Sequence, residues 1–209
     1  LVGVILIDDV VDVIHEEASE DIMHLSGAEE GDVYKSVFSI FKSRVAWLIT
    51  NLGATLVAST VVRNFQDVIA QVSVLAVLMP IVAPMGGTTG NQTLAVVVRA
   101  LATKELTSRN TIRMIVKEFL VGFTNGMLFA GLIGLITHLL FPQYIMISVI
   151  IAIAMFIELT IASLAGILVP LTLNRLKADP AISSGVFLIA ITDSGGFFVF
   201  LGLAKLLLF

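Results

Sequence analysis

Five stretches of this chain are apolar over enough residues to cross a bilayer, and that property constrains the fold more than any motif does. They fall at residues 45–62, 68–101, 119–141, 145–173 and 181–209, separated by short polar connectors. A hydrocarbon core ~30 Å thick takes about 20 apolar residues wound as a helix. The last two stretches exceed that length, so tilt or kinks are expected. Charged residues make up 13% of the 209 and hydrophobic residues 57%, where a soluble chain carries about 25% charge. That leaves too little polar surface to coat a soluble domain. The apolar content excludes intrinsic disorder, and the lack of cysteine excludes a disulfide-stapled secreted scaffold. A net charge of −4 argues against a nucleic-acid partner. The chain reads as an all-α integral membrane protein with five transmembrane helices per subunit, in contact with the lipid bilayer.

Charge is distributed unevenly. Ten acids (Asp8, Asp9, Asp12, Glu16, Glu17, Glu20, Asp21, Glu29, Glu30 and Asp32) and no Lys or Arg occur in the first 32 residues. The remainder carries twelve basic and six acidic side chains. Three segments follow: an acidic cytosolic segment over 1–31, a short amphipathic helix over 32–43, and a five-helix membrane body over 44–209. The opening LVGVILI reads as a β-strand, and a start at Leu1 with neither Met nor a signal peptide reads as the interior of a longer chain. In DVYKSVFSIF, Val33, Val37, Ile40 and Phe41 share one face at helical spacing, as in an interfacial helix approaching the membrane.

Orientation follows from the flanks. If the spans alternate, Lys35, Lys42, Arg44, Arg99, Lys104, Arg109, Arg113, Lys117, Arg175 and Lys177 fall on one side, and only Arg63 and Lys205 on the other. Lys and Arg concentrate on cytoplasmic flanks. The N-terminus is therefore expected inside and the C-terminus outside, in a plasma membrane. Five helices enclose a poor central pathway, whereas a two-fold dimer would place ten around an axis.

Polar residues at membrane depth carry the chemistry. A charge at mid-bilayer costs at least ~2.5–3.5 kcal/mol on insertion, so an acid there marks function. Asp193, in ITDSGGFF, lies near the middle of the fifth span, and Glu158, in MFIELTIA, lies in the fourth. The second span carries MPIVAPMGGTTGNQT, where Pro80 and Pro84 each remove a backbone donor. With Gly86, Gly87 and Gly90 they are expected to break that helix and free carbonyls, which lipid tolerates only where they line a cavity or meet protein. Thr88, Thr89, Asn91 and Gln92 add neutral oxygens suited to hard cations. The glycine-rich run lacks the Gly-Lys-Ser/Thr of a phosphate-binding loop. Asp193-Ser194-Gly195-Gly196 lies inside an apolar helix with no positioned His, so it is no protease nucleophile. Asp179-Pro180 is an N-cap followed by proline at the first helical position.

PMGGTTGNQTLAVVVRALAT, the basic loop after it, and DPAISSGVFLIAITDSGG together resemble the MgtE family of magnesium channel/transporters. LVGVILIDDVVDVIHEEASEDI resembles the end of that family's second CBS domain and its linker to a plug helix. The resemblance covers essentially the whole chain. It implies a homodimer with a pore on the two-fold axis, with Mg²⁺ as both transported and regulatory ion and divalent cations as the partners in general. It further implies that Asp193 binds hydrated Mg²⁺ in the pore and that Asn91 lines the same path. Asp9, Asp12, Glu17, Glu20, Asp21 and Asp179 match acids that bind regulatory Mg²⁺. The sequence departs from the family pattern at Thr88, at Ala95 and at Gly185-Val186, which bears on selectivity and pore shape. No family role carries over to Glu158.

The expected function is thus Mg²⁺ uptake through a dimer-axis pore, gated by cytosolic Mg²⁺ acting on the acidic segment, and not enzymatic. The alternatives are a pathway for another divalent cation such as Co²⁺ or Mn²⁺, an intramembrane aspartyl hydrolase using Asp193 and Glu158, and a non-transporting membrane anchor. The hydrolase needs paired carboxyls sharing a proton, and the anchor leaves Asp193 without a role.

Overall fold

Spans of this hydrophobicity wind into helices because lipid offers backbone groups no other partner. The computed structural model describes residues 34–106 and 110–209 without a break. Of the first 33 it describes only Ile7, Val10, Val13, Glu16, Glu20, Met23, His24, Leu25, Gly27 and Ala28. Beyond Ser36 the chain runs α1 (Val37–Arg63), α2 (Gln66–Gln71), α3 (Val74–Ala102), α4 (Thr111–Leu140), α5 (Ile145–Arg175) and α6 (Pro180–Leu208). Five of these, all but α2, are long and apolar enough to cross a membrane. No strand occurs among the described residues. The strand expected over LVGVILI lies outside them except for Ile7, which is helical.

The helix ends follow local chemistry. Ser36 caps α1, its hydroxyl accepting from the Ser39 amide at 3.4 Å. Asp179 caps α6, with Oδ1 accepting from the amides of Ala181 (2.8 Å) and Ile182 (3.4 Å), and Pro180 follows at the first helical position, as expected. α5 closes with the Ala178 amide on Leu173 O and the Lys177 amide on Asn174 O. Lys177 is left-handed at φ 58°, the geometry that satisfies terminal carbonyls.

Three boundaries differ from those expected. α1 runs unbroken from Val37, so residues 37–43 of the expected amphipathic segment 32–43 are the first two turns of the first span; no Gly or Pro lies between Ser36 and Leu52 to separate them. Residues 66–71 form a helix of their own before α3 begins at Val74, where a single span from 68 was expected. α4 begins at Thr111, eight residues before the apolar stretch, because Arg113 and Lys117 continue the helix toward the polar boundary. Long basic side chains can keep an apolar stem low and the charge in water.

The expected break in the second span is also absent. α3 stays helical through Pro80, Pro84, Gly86, Gly87 and Gly90. Each proline forfeits one backbone bond, but unwinding at membrane depth would orphan many more. Neighbours hold the helix in place: α3 packs on α5 and α6, which also pack on each other. Leu75, Leu78 and Val82 of α3 bury against Ile147, Ile151 and Met155 of α5 and Phe200 and Leu201 of α6. Toward the C-terminal end of α3, Leu94 and Val98 meet Ala165, Ala181 and Leu188.

α5 is the hub, packed against α3, α4 and α6, and half of its most apolar stretch is buried. Small residues let α4 approach it closely, as membrane helices require. A Cβ on Gly126 would lie 2.9 Å from Phe156 O, and one on Gly122 2.6 Å from Ser163 Cβ. α1 is peripheral, packing on α6 with only Ala54 and Ala58 buried.

Candidate cation site in the membrane body

α6 carries Asp193 about halfway along, thirteen residues or ~20 Å from its first residue. The side chain is half-buried and lines a cavity of about 380 Å³ between α1, the start of α2 and α6, together with Thr55, Ser59, Arg63, Gln66 and Phe197. Hydroxyl, amide and guanidinium groups therefore share the carboxylate's space. In the sequence Arg63 stands out only as a flank charge and Gln66 not at all, because only packing brings the end of α1 and the start of α2 to Asp193.

Residues beside Asp193 on α6 turn inward. Thr192 is buried, its Oγ1 donating to Leu188 O (3.0 Å) and Ile189 O (3.3 Å). Gly195 and Gly196 face Glu158, which is 0% exposed. Neither Glu158 oxygen has a hydrogen-bond partner. Glu158 thus reaches from α5 to the same stretch of α6 that carries Asp193.

α3 divides its polar residues between two faces. Gly86, Thr89, Gly90 and Thr93 are buried, while Pro84, Thr88, Asn91 and Gln92 form an outward stripe. Thr88 Oγ1 donates to Pro84 O at 2.8 Å, leaving Asn91 and Gln92 as the exposed amides. Asn91 is not among the residues lining the Asp193 cavity. The two expected pore residues therefore sit on different surfaces of the chain. A third acid went unnoticed in the sequence: Glu118 of α4 accepts from Thr93 Oγ1 at 2.9 Å, and its carbonyl accepts from Ser163 Oγ at 2.8 Å. Its signal was present as a Glu on the apolar side of Lys117.

The expected regulatory residues are only partly in view. Asp9, Asp12, Glu17 and Asp21 lie outside the described residues. Glu20 is 3.7 Å from His24, and Asp179 is exposed at the start of α6. The end of the acidic segment reaches the membrane body: Gly27, at φ +69°, stands where a Cβ would overlap the Trp47 ring. A Cβ on Gly185 would meet Leu25 O at 3.1 Å. The Gly185 departure thus has a local reason, since it admits the linker backbone against α6. His24, Gly27, Ser43, Trp47, Ser183 and Phe187 line the adjoining cavity of about 560 Å³. Among the described residues no three His, Asp or Glu gather as a metal site.

Residues 79–203 match the sequence profile of the MgtE family, whose description is divalent cation transporter. That span holds the α3 stripe, Glu118, Glu158 and Asp193. The chain is 31% identical over 206 residues to the magnesium transporter MgtE of Enterococcus faecalis, covering 99% of this chain and 45% of that protein. It is likewise 31% identical over 206 residues to the magnesium transporter MgtE of Bacillus subtilis, covering 98% and 45%. To that of Thermus thermophilus it is 32% identical over 211 residues, covering 100% and 46%. The chain spans about half the length of these relatives, which are named as transporters and not as enzymes. With five membrane-length helices and the profile covering most of its membrane body, the chain is a member of the MgtE family of divalent cation transporters.

Proposed function

We propose that this chain carries Mg²⁺ across the membrane as a two-fold dimer, with the hydrated ion meeting Asp193. The observation that carries the reading is Asp193 itself: a half-buried carboxylate midway along α6, opening onto a cavity rather than onto a partner within its own helix. The names of the relatives point to Mg²⁺ as the cargo. Mg²⁺ dehydrates reluctantly and keeps several waters, so its path needs charge and oxygen at a distance more than a tight cage.

A dimer accounts for the outward stripe on α3. Asn91 and Gln92 facing hydrocarbon would lack partners, whereas facing a two-fold axis they would line water and ion. Two Asp193 carboxylates ~8 Å apart repel by about 2 kcal/mol at an effective dielectric of ~20. A dication ~5 Å from each gains ~7 kcal/mol per carboxylate by the same relation, and a monovalent ion half as much. Two positive charges moving inward gain ~4.6 kcal/mol per 100 mV of inside-negative membrane potential. Passive uptake through a plasma membrane then needs no other energy source.

Gating belongs to the acidic segment. Ten like charges without a basic residue repel one another unless cations bridge them. Cytosolic Mg²⁺ would draw Asp9, Asp12, Glu17, Glu20 and Asp21 toward Asp179 and the partner subunit, and low Mg²⁺ would release them. The seating of Gly27 on Trp47 and of Leu25 near Gly185 supplies a route from that segment to α6. Mg²⁺ uptake by liposomes carrying the purified chain, challenged with Co²⁺ and Mn²⁺, tests the cargo. Mg²⁺ should enter and should outcompete equal concentrations of either; faster uptake of Co²⁺ or Mn²⁺ would reassign the cargo.

A further inference from the structure

Glu158 takes no part in the reading above, yet its surroundings are the most constrained of any acid in the membrane body. Its side chain leaves α5 and ends between α3 and α6. Both carboxyl oxygens are buried without a hydrogen bond, a rare condition that calls for explanation. The space exists because the facing residues have no side chains. A Cβ on Gly86 of α3 would overlap Oε1. One on Gly196 of α6 would come within 3.2 Å of Cδ and 3.3 Å of Oε2, with Ala83 Cα of α3 3.4 Å away. A Cβ on Gly195 would reach Oε2 at 3.9 Å. The carboxyl is a knob from α5 seated in a socket that α3 and α6 share.

We propose that Glu158 is a positioning residue for transport: its seated carboxyl sets the separation of α3 from α6, and so the placement of Asp193 against the ion. This rests on Asp193 meeting the ion, as proposed above. Asp193 lies three residues before Gly196, about 4.5 Å along α6, and Asn91 lies five residues after Gly86 on α3. No donor in the socket holds the carboxyl, so the socket reads its length and flat end. A shorter side chain leaves a void that the helices close by shifting, and a methyl on Gly86 pushes them apart. Interiors packed this densely pass such shifts on.

The test is the initial rate of Mg²⁺ uptake into liposomes against Mg²⁺ concentration, normalised to folded protein. It compares Glu158→Ala, Gly86→Ala, the two combined, and Glu158→Gln. Each alanine alone should raise KM for Mg²⁺ roughly tenfold and shift the Mg²⁺/Co²⁺ preference. Glu158→Gln, nearly the same shape, should keep KM within about twofold. The combined variant should recover most of the loss, because the new methyl occupies space the carboxyl vacated. If Glu158→Ala fails to insert, Glu158→Asp should give an intermediate KM. Unchanged KM and preference in the alanine variants, with only the maximal rate or the yield of folded protein reduced, would leave Glu158 a packing residue and overturn the proposal. So would a Gln variant as damaged as Glu158→Ala with no recovery in the pair, since charge would then be what matters. Asp193→Asn in the same assay separates the two levels. If uptake survives it, the transport-site reading falls; if uptake is lost there while the Glu158 variants behave as wild type, only the positioning role falls.

Discussion

Asp193, Glu158 and Glu118 all lie within membrane helices, where a charged side chain costs ~2.5–3.5 kcal/mol on insertion, yet their neighbours differ. Asp193 opens onto a polar cavity, Glu158 fills a glycine socket, and Glu118 accepts a bond from Thr93 that ties α4 to α3. The last is structural in effect. Thr93→Val removes the hydroxyl and leaves the carboxyl with one bond fewer, and should lower stability by about 0.6–1.7 kcal/mol. Denaturation in mixed micelles measures that loss, and KM for Mg²⁺ should not move. Asp193 and Glu158 could be found in the sequence because each interrupts an otherwise apolar run. Glu118 is masked, because Arg113 and Lys117 make its surroundings look like a connector although it stands on their apolar side. What surrounds each acid was hidden in every case, since Gly86 beside Glu158, Arg63 across the cavity from Asp193 and Thr93 on Glu118 come from other helices.

Among the elements, α3 shows where local signals mislead. Two prolines and a glycine run read as a break, but the glycines are the contact surface of a continuous helix: Gly86 takes Glu158, and Gly90 takes Leu188 with Ala162 O 3.2 Å from where its Cβ would be. Apolar windows report the hydrocarbon-facing part of a helix and stop at its charged turns, which is why α4 began earlier than expected. The α4–α5 crossing offers an internally controlled measurement. Gly126→Ala forces a methyl 2.9 Å from Phe156 O, and overpacking of that kind costs about 1–3 kcal/mol. Gly131→Ala on the same helix meets nothing within 4 Å and should be neutral or up to ~1 kcal/mol stabilising through helix propensity. Equal destabilisation of the two would refute close approach as the role of Gly126.

At the scale of the whole molecule, orientation and assembly decide whether the parts make a pathway. The ten-to-two division of basic residues predicts that a cysteine at Gln143, between α4 and α5, is labelled from outside by a membrane-impermeant maleimide. A cysteine at Glu105, between α3 and α4, should be labelled only after permeabilisation. The chain has no native cysteine to confuse the result. The reverse pattern would invert the bundle and put the acidic segment outside, away from cytosolic Mg²⁺. Span number and family motifs were legible in the sequence because membrane depth restricts composition so strongly, and the contact of the linker with Trp47 and Gly185 was not, because it joins segments far apart in the chain. The most direct measurement is Mg²⁺ uptake into liposomes carrying the purified chain, intact against Asp193→Asn. Uptake by the intact chain that falls to the level of empty liposomes in the variant is the predicted result. Equal uptake by both would contradict it, and would move the ion path away from Asp193 to Asn91 and its neighbours on α3.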